Sequence, residues 1–211
     1  MKTRPPFELR GIMLFYNTIM VFSNAFTFIK MLQFSKYGLE FLNMEYPSDK
    51  IFSSYKAHYL NICYFYLLTK FLDLFDTIFF VLRKKYNQIS TLHLYHHTIV
   101  PIFVWYVLWL TIDLSGLMLF GLLNSLVHVI MYSYYSLSAF GPKIEKYLWW
   151  KRYITQLQLI QFVIFGIYAV LQYIYSVGYP KQLFIVFLPQ PFIFFYMFYM
   201  FYRQSYKKKV H

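Results

Sequence analysis

The chain has 211 residues, of which 59% are hydrophobic, 25% aromatic and only 13% charged, with a mean hydropathy of +0.44. Soluble domains carry about 25% charged residues, so this composition excludes a soluble globular protein and indicates a polytopic membrane protein in one domain, residues 1–211. A net charge of +12 in a soluble chain would suggest a nucleic-acid partner; here it fits cytoplasmic loops rich in Lys and Arg, and no nucleic-acid partner is expected.

Six segments, near 12–35, 58–82, 90–112, 115–138, 152–174 and 182–203, approach the roughly 20 apolar residues that a membrane helix needs. The expected fold is therefore all-α, with six transmembrane helices and a longest linker over 36–57. The polar stretch 1–10 runs straight into the first segment without a small-residue cleavage pattern, so no cleavable signal peptide is expected. The single cysteine, Cys63, excludes an intramolecular disulfide. Basic residues orient the chain. With both chain ends and the loops 83–89 and 139–152 on one side, fourteen Lys and Arg stand there, against Lys30, Lys36, Lys50, Lys56 and Lys181 on the other. That asymmetry puts both termini in the cytoplasm.

Polar residues inside the segments are few and form a pattern. The second segment carries Lys70, Asp73, Asp76 and Thr77, and the third carries His93, His96 and His97. The fourth carries Asn124, His128, Tyr132 and Tyr135, and the fifth Thr155, Gln158 and Gln161. Counted from the cytoplasmic helix ends, Asp76, His96, Gln158 and His128 all lie roughly 9–15 Å deep at 1.5 Å per residue. Successive helices run in opposite directions, yet these groups fall in one layer. That coincidence predicts a single buried site opening to the cytoplasm. Beyond it, Leu117, Leu119, Phe120, Leu122, Phe162, Ile164, Phe165 and Ile167 predict an apolar slot. A polar chamber above an apolar slot suits a ligand with a polar head and a long hydrocarbon tail.

The spacing of His93, His96 and His97 puts three imidazoles on one helical face. Ionisable groups in a membrane segment are costly and face the protein interior. Two chemistries use such a cluster: imidazole is a metal ligand, and it is a nucleophile toward thioesters. HxxHH occurs in membrane di-iron desaturases and hydroxylases, but those enzymes use about eight histidines. This chain has six, and His58 and His211 lie outside the layer. His128 stacks with Asn124 and Tyr132 at four-residue spacing. Lys70, Asp73 and Asp76 follow one another at i, i+3 and i+6, and the carboxylates are expected to accept hydrogen bonds from the histidine rings. Gln158 and Gln161 need bonding partners in lipid, so they either join helices or line the site. Arg83, Lys84 and Lys85 cap the second segment; beyond setting topology, they can meet phosphate groups. A small-solute or lipid transporter with a midplane site is the non-enzymatic alternative, although no internal repeat is visible.

Four stretches resemble, in order, the motifs of the ELO family of very-long-chain fatty acid elongases. Lys70-Phe-Leu-Asp73-Leu-Phe-Asp76-Thr77 is similar to KxxExxDT, and Gln88-Ile-Ser-Thr-Leu-His93-Leu-Tyr-His96-His97 to QxxxLHxxHH. Asn124 to Tyr135 is similar to NxxxHxxMYxYY, and Thr155 to Gln161 to TxxQxxQ. Asp73 stands where the family usually has Glu. The family usually has seven spans, and this chain begins at a Pro6-Phe7-x-Leu9-Arg10 stretch that follows the first, so the N-terminal family helix is expected to be missing. The resemblance implies a bundle or barrel around an acyl-chain tunnel, without a metal or cofactor, that condenses acyl-CoA with malonyl-CoA to 3-oxoacyl-CoA. It implies His96 as nucleophile, His128 at the carbonyl, and His93 and His97 beside them. Asp73, Asp76, Asn124, Tyr132, Gln158 and Gln161 are supporting residues, with Lys70, Arg83, Lys84 and Lys85 on the CoA phosphates. It also implies a multi-pass protein of the endoplasmic-reticulum membrane, working beside the other enzymes of the elongation cycle and open to oligomerisation. Lys208 and Lys209 look like a dilysine retrieval signal of that membrane.

Overall fold

The computed structural model describes residues 5–110 and 115–206. The terminal lysines and the expected end of the third span, residues 111–112, lie outside these. The described residues are all-α apart from one isolated bridge, in which Val177 exchanges backbone hydrogen bonds with Met44 and Tyr46.

Helix α1 spans Arg10–Phe34, α2 Asp49–Leu72, α3 Leu74–Leu82 and α4 Thr91–Leu110. Helix α5 spans Ser115–Ser138, α6 Pro142–Glu145, α7 Lys151–Tyr175, α8 Lys181–Phe187 and α9 Pro189–Tyr206. Three boundaries differ from the sequence expectation. Helix α2 starts nine residues early, because Asp49 in its first turn complements the helix dipole. The second expected span is two helices meeting at Asp73, where Asp76 N–H bonds to the Asp73 carbonyl in a tighter three-residue turn. The sixth is broken at Leu188, where Pro189 and then Pro191 remove backbone donors.

Among the described residues, four stretches are long and apolar enough to cross a membrane: Arg10–Phe34, Ser115–Ser138, Lys151–Tyr175 and Lys181–Tyr206. The two other expected spans, α2–α3 and α4, are those that carry Lys70, Asp73, Asp76 and the histidine cluster. Their polar side chains are what separate them from the other four. The chain is thus an all-α, polytopic membrane protein. Phe15, Phe22, Trp109 and Ile185 are each at least 65% exposed, an apolar outer surface suited to lipid rather than water.

Helix α1 packs most extensively on α5 and also on α2. Helix α2 packs on α4, α4 on α9, α9 on α7, and α7 on α5. The α1–α5 seam is close because Gly121 has no side chain: a Cβ there would come within 2.6 Å of Met31 Cε. Asn17, Asn24 and Thr27 lie buried along the seam side of α1, and the core concentrates on Tyr59, Tyr66, Tyr132, Met20 and Met31.

Candidate active site

The centre of the polar layer is a buried cation. Lys70 is 2% exposed. Its Nζ lies 2.8 Å from Asp73 Oδ2, 3.0 Å from Asn124 Oδ1 and 3.1 Å from His128 Nδ1. An ammonium has three N–H donors, and all three find a partner. The Tyr66 ring lies under the same Nζ, 5.1 Å away, and its hydroxyl donates to Asn124 Oδ1 at 3.0 Å. Lys70 is therefore walled in by α2 and α5 and does not line the chamber. This placement corrects its expected contact with CoA phosphates: burial and three local acceptors leave it no donor to offer.

The Asp73 and Asp76 carboxylates are met by Tyr132 of α5 rather than by the imidazoles of α4, and Asp73 also faces Lys70 at 2.8 Å and His128 Nδ1 at 3.7 Å. Tyr132 Oη lies 2.9 Å from Asp73 Oδ1 and 2.7 Å from Asp76 Oδ2. Its hydroxyl stands where hydrogen bonds from imidazoles were expected, because this long side chain reaches from α5 to the bend between α2 and α3. Tyr16 of α1 completes this corner. It donates to the Leu72 carbonyl at 3.0 Å, beside the helix break, and meets Tyr132 Oη at 3.4 Å. His93 is instead held by Thr77, with Oγ1 and Nε2 2.8 Å apart.

The imidazoles converge. The His93 and His97 rings are 4.1 Å apart, His96 and His97 5.4 Å, and His96 and His128 6.2 Å. Phe194 of α9 meets the His96 ring edge-on at 5.5 Å. Nδ1 of His96 is buried without a hydrogen-bond partner, as is Nδ1 of His97. Among the described residues no three His, Cys, Asp or Glu side chains are grouped as a metal ion would require.

These rings face a cavity of about 540 Å³ that Asp76, Asn124, Tyr132, Thr155, Gln158 and Gln161 also line. It reaches the end of the bundle where α3, α5 and α9 finish and α4 and α7 begin, marked by Asn87, Gln88, Ser138, Lys151 and Tyr206. Arg83, Lys84 and Lys85 lie at this end but outside the lining. Among the described residues the lining cation is Lys151, the first residue of α7, which in the sequence stands only among the basic residues of the cytoplasmic side. Gln161 Oε1 is buried and unpartnered, while Gln158 reaches Met131 Sδ at 3.8 Å.

A second cavity, of about 60 Å³, lies toward the opposite end, among Val100, Val104, Leu117, Phe120, Phe162 and Phe184. Of the residues expected in an apolar slot, Leu117, Phe120, Phe162 and Phe165 line it. Ile164 and Ile167 are 44% and 57% exposed and face outward, so helix rotation divides that set. Phe162 lines both cavities and stacks on Phe194 at 5.3 Å and 13°. The apolar cavity ends at Gln172, which bonds to Ser115, itself within 3.2 Å of the Tyr168 and Tyr179 hydroxyls.

The sequence profile of the ELO (GNS1/SUR4) family matches residues 1–211. The chain belongs to the ELO family. It is 37% identical over 210 residues to very long chain fatty acid elongase 7 of Drosophila melanogaster, covering 99% of this chain and 63% of that protein. It is 39% identical over 213 residues to human very long chain fatty acid elongase 4, covering 99% and 66%. With mouse very long chain fatty acid elongase 2 the identity is 37%, covering 99% and 70%. The chain thus spans about two-thirds of the length of these relatives. In this ELO chain every family-like motif reaches the same chamber wall, either by lining it or, as with Lys70, by bracing a group that does. Tyr66, Tyr16 and Phe194 were not anticipated. Tyr66 precedes Lys70 by four residues on one face and was readable; Tyr16 and Phe194 join through tertiary contact alone.

Proposed function

We propose that this chain condenses a long-chain acyl-CoA with malonyl-CoA, giving 3-oxoacyl-CoA, CO₂ and CoA, in the endoplasmic-reticulum membrane with both termini cytoplasmic. In this reading α2–α3 and α4 span alongside the four more apolar stretches. The six then form a barrel around an acyl tunnel made of the two cavities. The observation that carries the reading is the pair of imidazoles, His96 and His128, 6.2 Å apart on the wall of a polar chamber that adjoins an apolar cavity through Phe162. Membership of the ELO family supports it over a desaturase, whose case rested on the HxxHH spacing.

The chemistry proceeds in two halves. A ring nitrogen of His96 attacks the thioester carbonyl; the C–S bond breaks, and CoA leaves with the proton that the imidazole loses. The acyl-imidazole persists because the tail fills the slot and water is kept away. Malonyl-CoA then loses CO₂, its enolate carbon attacks the acyl carbon, and the C–N bond breaks as His96 takes up a proton. His128 meets the carbonyl oxygen, where charge develops. His93, fixed by Thr77, and His97 hold the His96 ring in place. Asp73 and Asp76 set the α2–α3 corner through Tyr132, and Gln158 and Gln161 line the acyl path. Arg83, Lys84, Lys85 and Lys151 meet the CoA phosphates at the mouth. Intact-mass analysis after incubation with acyl-CoA alone tests the central step. An adduct of acyl mass, absent from His96→Gln and discharged by malonyl-CoA, is the expected result; condensation without any adduct would overturn it.

A further inference from the structure

Two hydrogen-bond donors face one another in the chamber wall. Asn124 Oδ1 accepts from both Tyr66 Oη and Lys70 Nζ, each at 3.0 Å, so its amide is oriented and Nδ2 carries N–H toward His128 Nε2, 3.4 Å away. The other ring nitrogen, Nδ1, lies 3.1 Å from Lys70 Nζ. An ammonium only donates, so Nδ1 must accept. A neutral imidazole has one acceptor nitrogen and one N–H, which leaves the proton on Nε2. A neutral amine accepting from Nδ1–H is the other arrangement, but it would give up the ammonium 2.8 Å from Asp73 Oδ2 for a His128 Nδ1 contact of 3.7 Å to the same oxygen. With the proton on Nε2, the 3.4 Å contact is no hydrogen bond. It is a pair of N–H groups on buried side chains, 2% and 5% exposed, both lining the chamber.

We infer that Lys70 is a positioning residue, locking His128 in its Nε2–H tautomer so that His128 Nε2–H and Asn124 Nδ2–H together form an oxyanion cradle for the thioester carbonyl. The inference rests on the elongase reading for the identity of the oxygen, and on geometry alone for the tautomer. Two donors that cannot bond to each other are satisfied by one acceptor between them, and negative charge growing on that acceptor strengthens both bonds. Removing a donor of this kind costs about 10²–10³ in kcat. Tyr66 acts one step further back, by fixing the amide of Asn124.

Ring-¹⁵N-labelled protein in detergent, with the His128→Gln difference spectrum used for assignment, reads the tautomer without any turnover. A protonated Nε2 and an unprotonated Nδ1 are expected; Nδ1–H or a doubly protonated ring overturns the inference. Two shape-matched double variants then separate donation from packing. Lys70→Gln/Asp73→Asn keeps an N–H toward Nδ1, whereas Lys70→Met/Asp73→Asn has none. Only the Met variant should lose the single tautomer, and its kcat should fall about 10²-fold below that of the Gln variant with KM within about threefold. Equal kcat values in the two folded variants would refute the lock. Asn124→Asp, which keeps the acceptor and removes the donor, should lower kcat by a similar factor. Absence of condensation in the unaltered protein would sink the elongase reading while the spectrum still judged the tautomer.

Discussion

The polar chamber and the apolar cavity are built on opposite principles. Around the chamber most buried charges lie against a fixed partner: Lys70 meets three acceptors, and the single Tyr132 hydroxyl hydrogen is shared between two carboxylates. Among the described residues, the exceptions are His96 Nδ1, His97 Nδ1 and Gln161 Oε1, together with the facing Asn124 and His128 donors. Around the apolar cavity the walls are aliphatic and aromatic, and polarity appears only at Gln172 and Gln190. In a membrane, both designs avoid unpaired polar atoms. The first does so by saturation and the second by omission. Where saturation fails, at the histidines, chemistry is expected.

That contrast can be broken at several points. The largest effect is expected at His96. His96→Ala should lower labelled malonyl-CoA incorporation by at least about 10³-fold while the protein stays folded, since loss of a covalent nucleophile removes the whole pathway; activity within tenfold of the original would return the site to a structural role. Next comes the buried ion pair. Lys70→Met alone should cost about 3–5 kcal/mol, because Asp73 is left charged and uncompensated, and adding Asp73→Asn should recover most of it. Thermal unfolding in detergent measures both. Filling the apolar cavity tests the other region. Val104→Phe, at a wall position that is 1% exposed, should move acceptance toward shorter acyl-CoAs and cost about 1–3 kcal/mol through overpacking. Competition among acyl-CoAs of graded length reads this shift, and an unchanged distribution would detach the cavity from the acyl chain. The smallest effect is expected at Tyr95→Phe, which loses one hydrogen bond to Gln190 of 2.9 Å and about 1 kcal/mol. Its kinetics on short substrates should not change.

Much of the chamber was legible because helical spacing is local. His93, His96 and His97 share a face by periodicity, and Asn124, His128 and Tyr132 do likewise, so the layer could be read before any packing was known. Less legible were the partners. Asp73 and Asp76 looked like acceptors for imidazoles, but Tyr132 and Lys70 hold them. Lys70 looked like a cation for CoA phosphates, yet side chains of α2 and α5 enclose it. Ile164 and Ile167 matched the apolar slot by depth alone and turned outward once α7 was seated on α5 and α9.

The sequence by itself determined the class: an apolar, aromatic-rich, all-α membrane chain whose ELO motifs lie at one depth, because composition, helical period and rise per residue act within a segment. Only the tertiary structure decided which acceptors Lys70 meets, that α2–α3 bends at Asp73 with Tyr16 on the Leu72 carbonyl, and that Phe162 joins two cavities of opposite character. Those outcomes depend on which helices become neighbours and how each is rotated about its axis. A buried polar atom bonds to whatever the adjacent helix presents, wherever that residue lies along the chain.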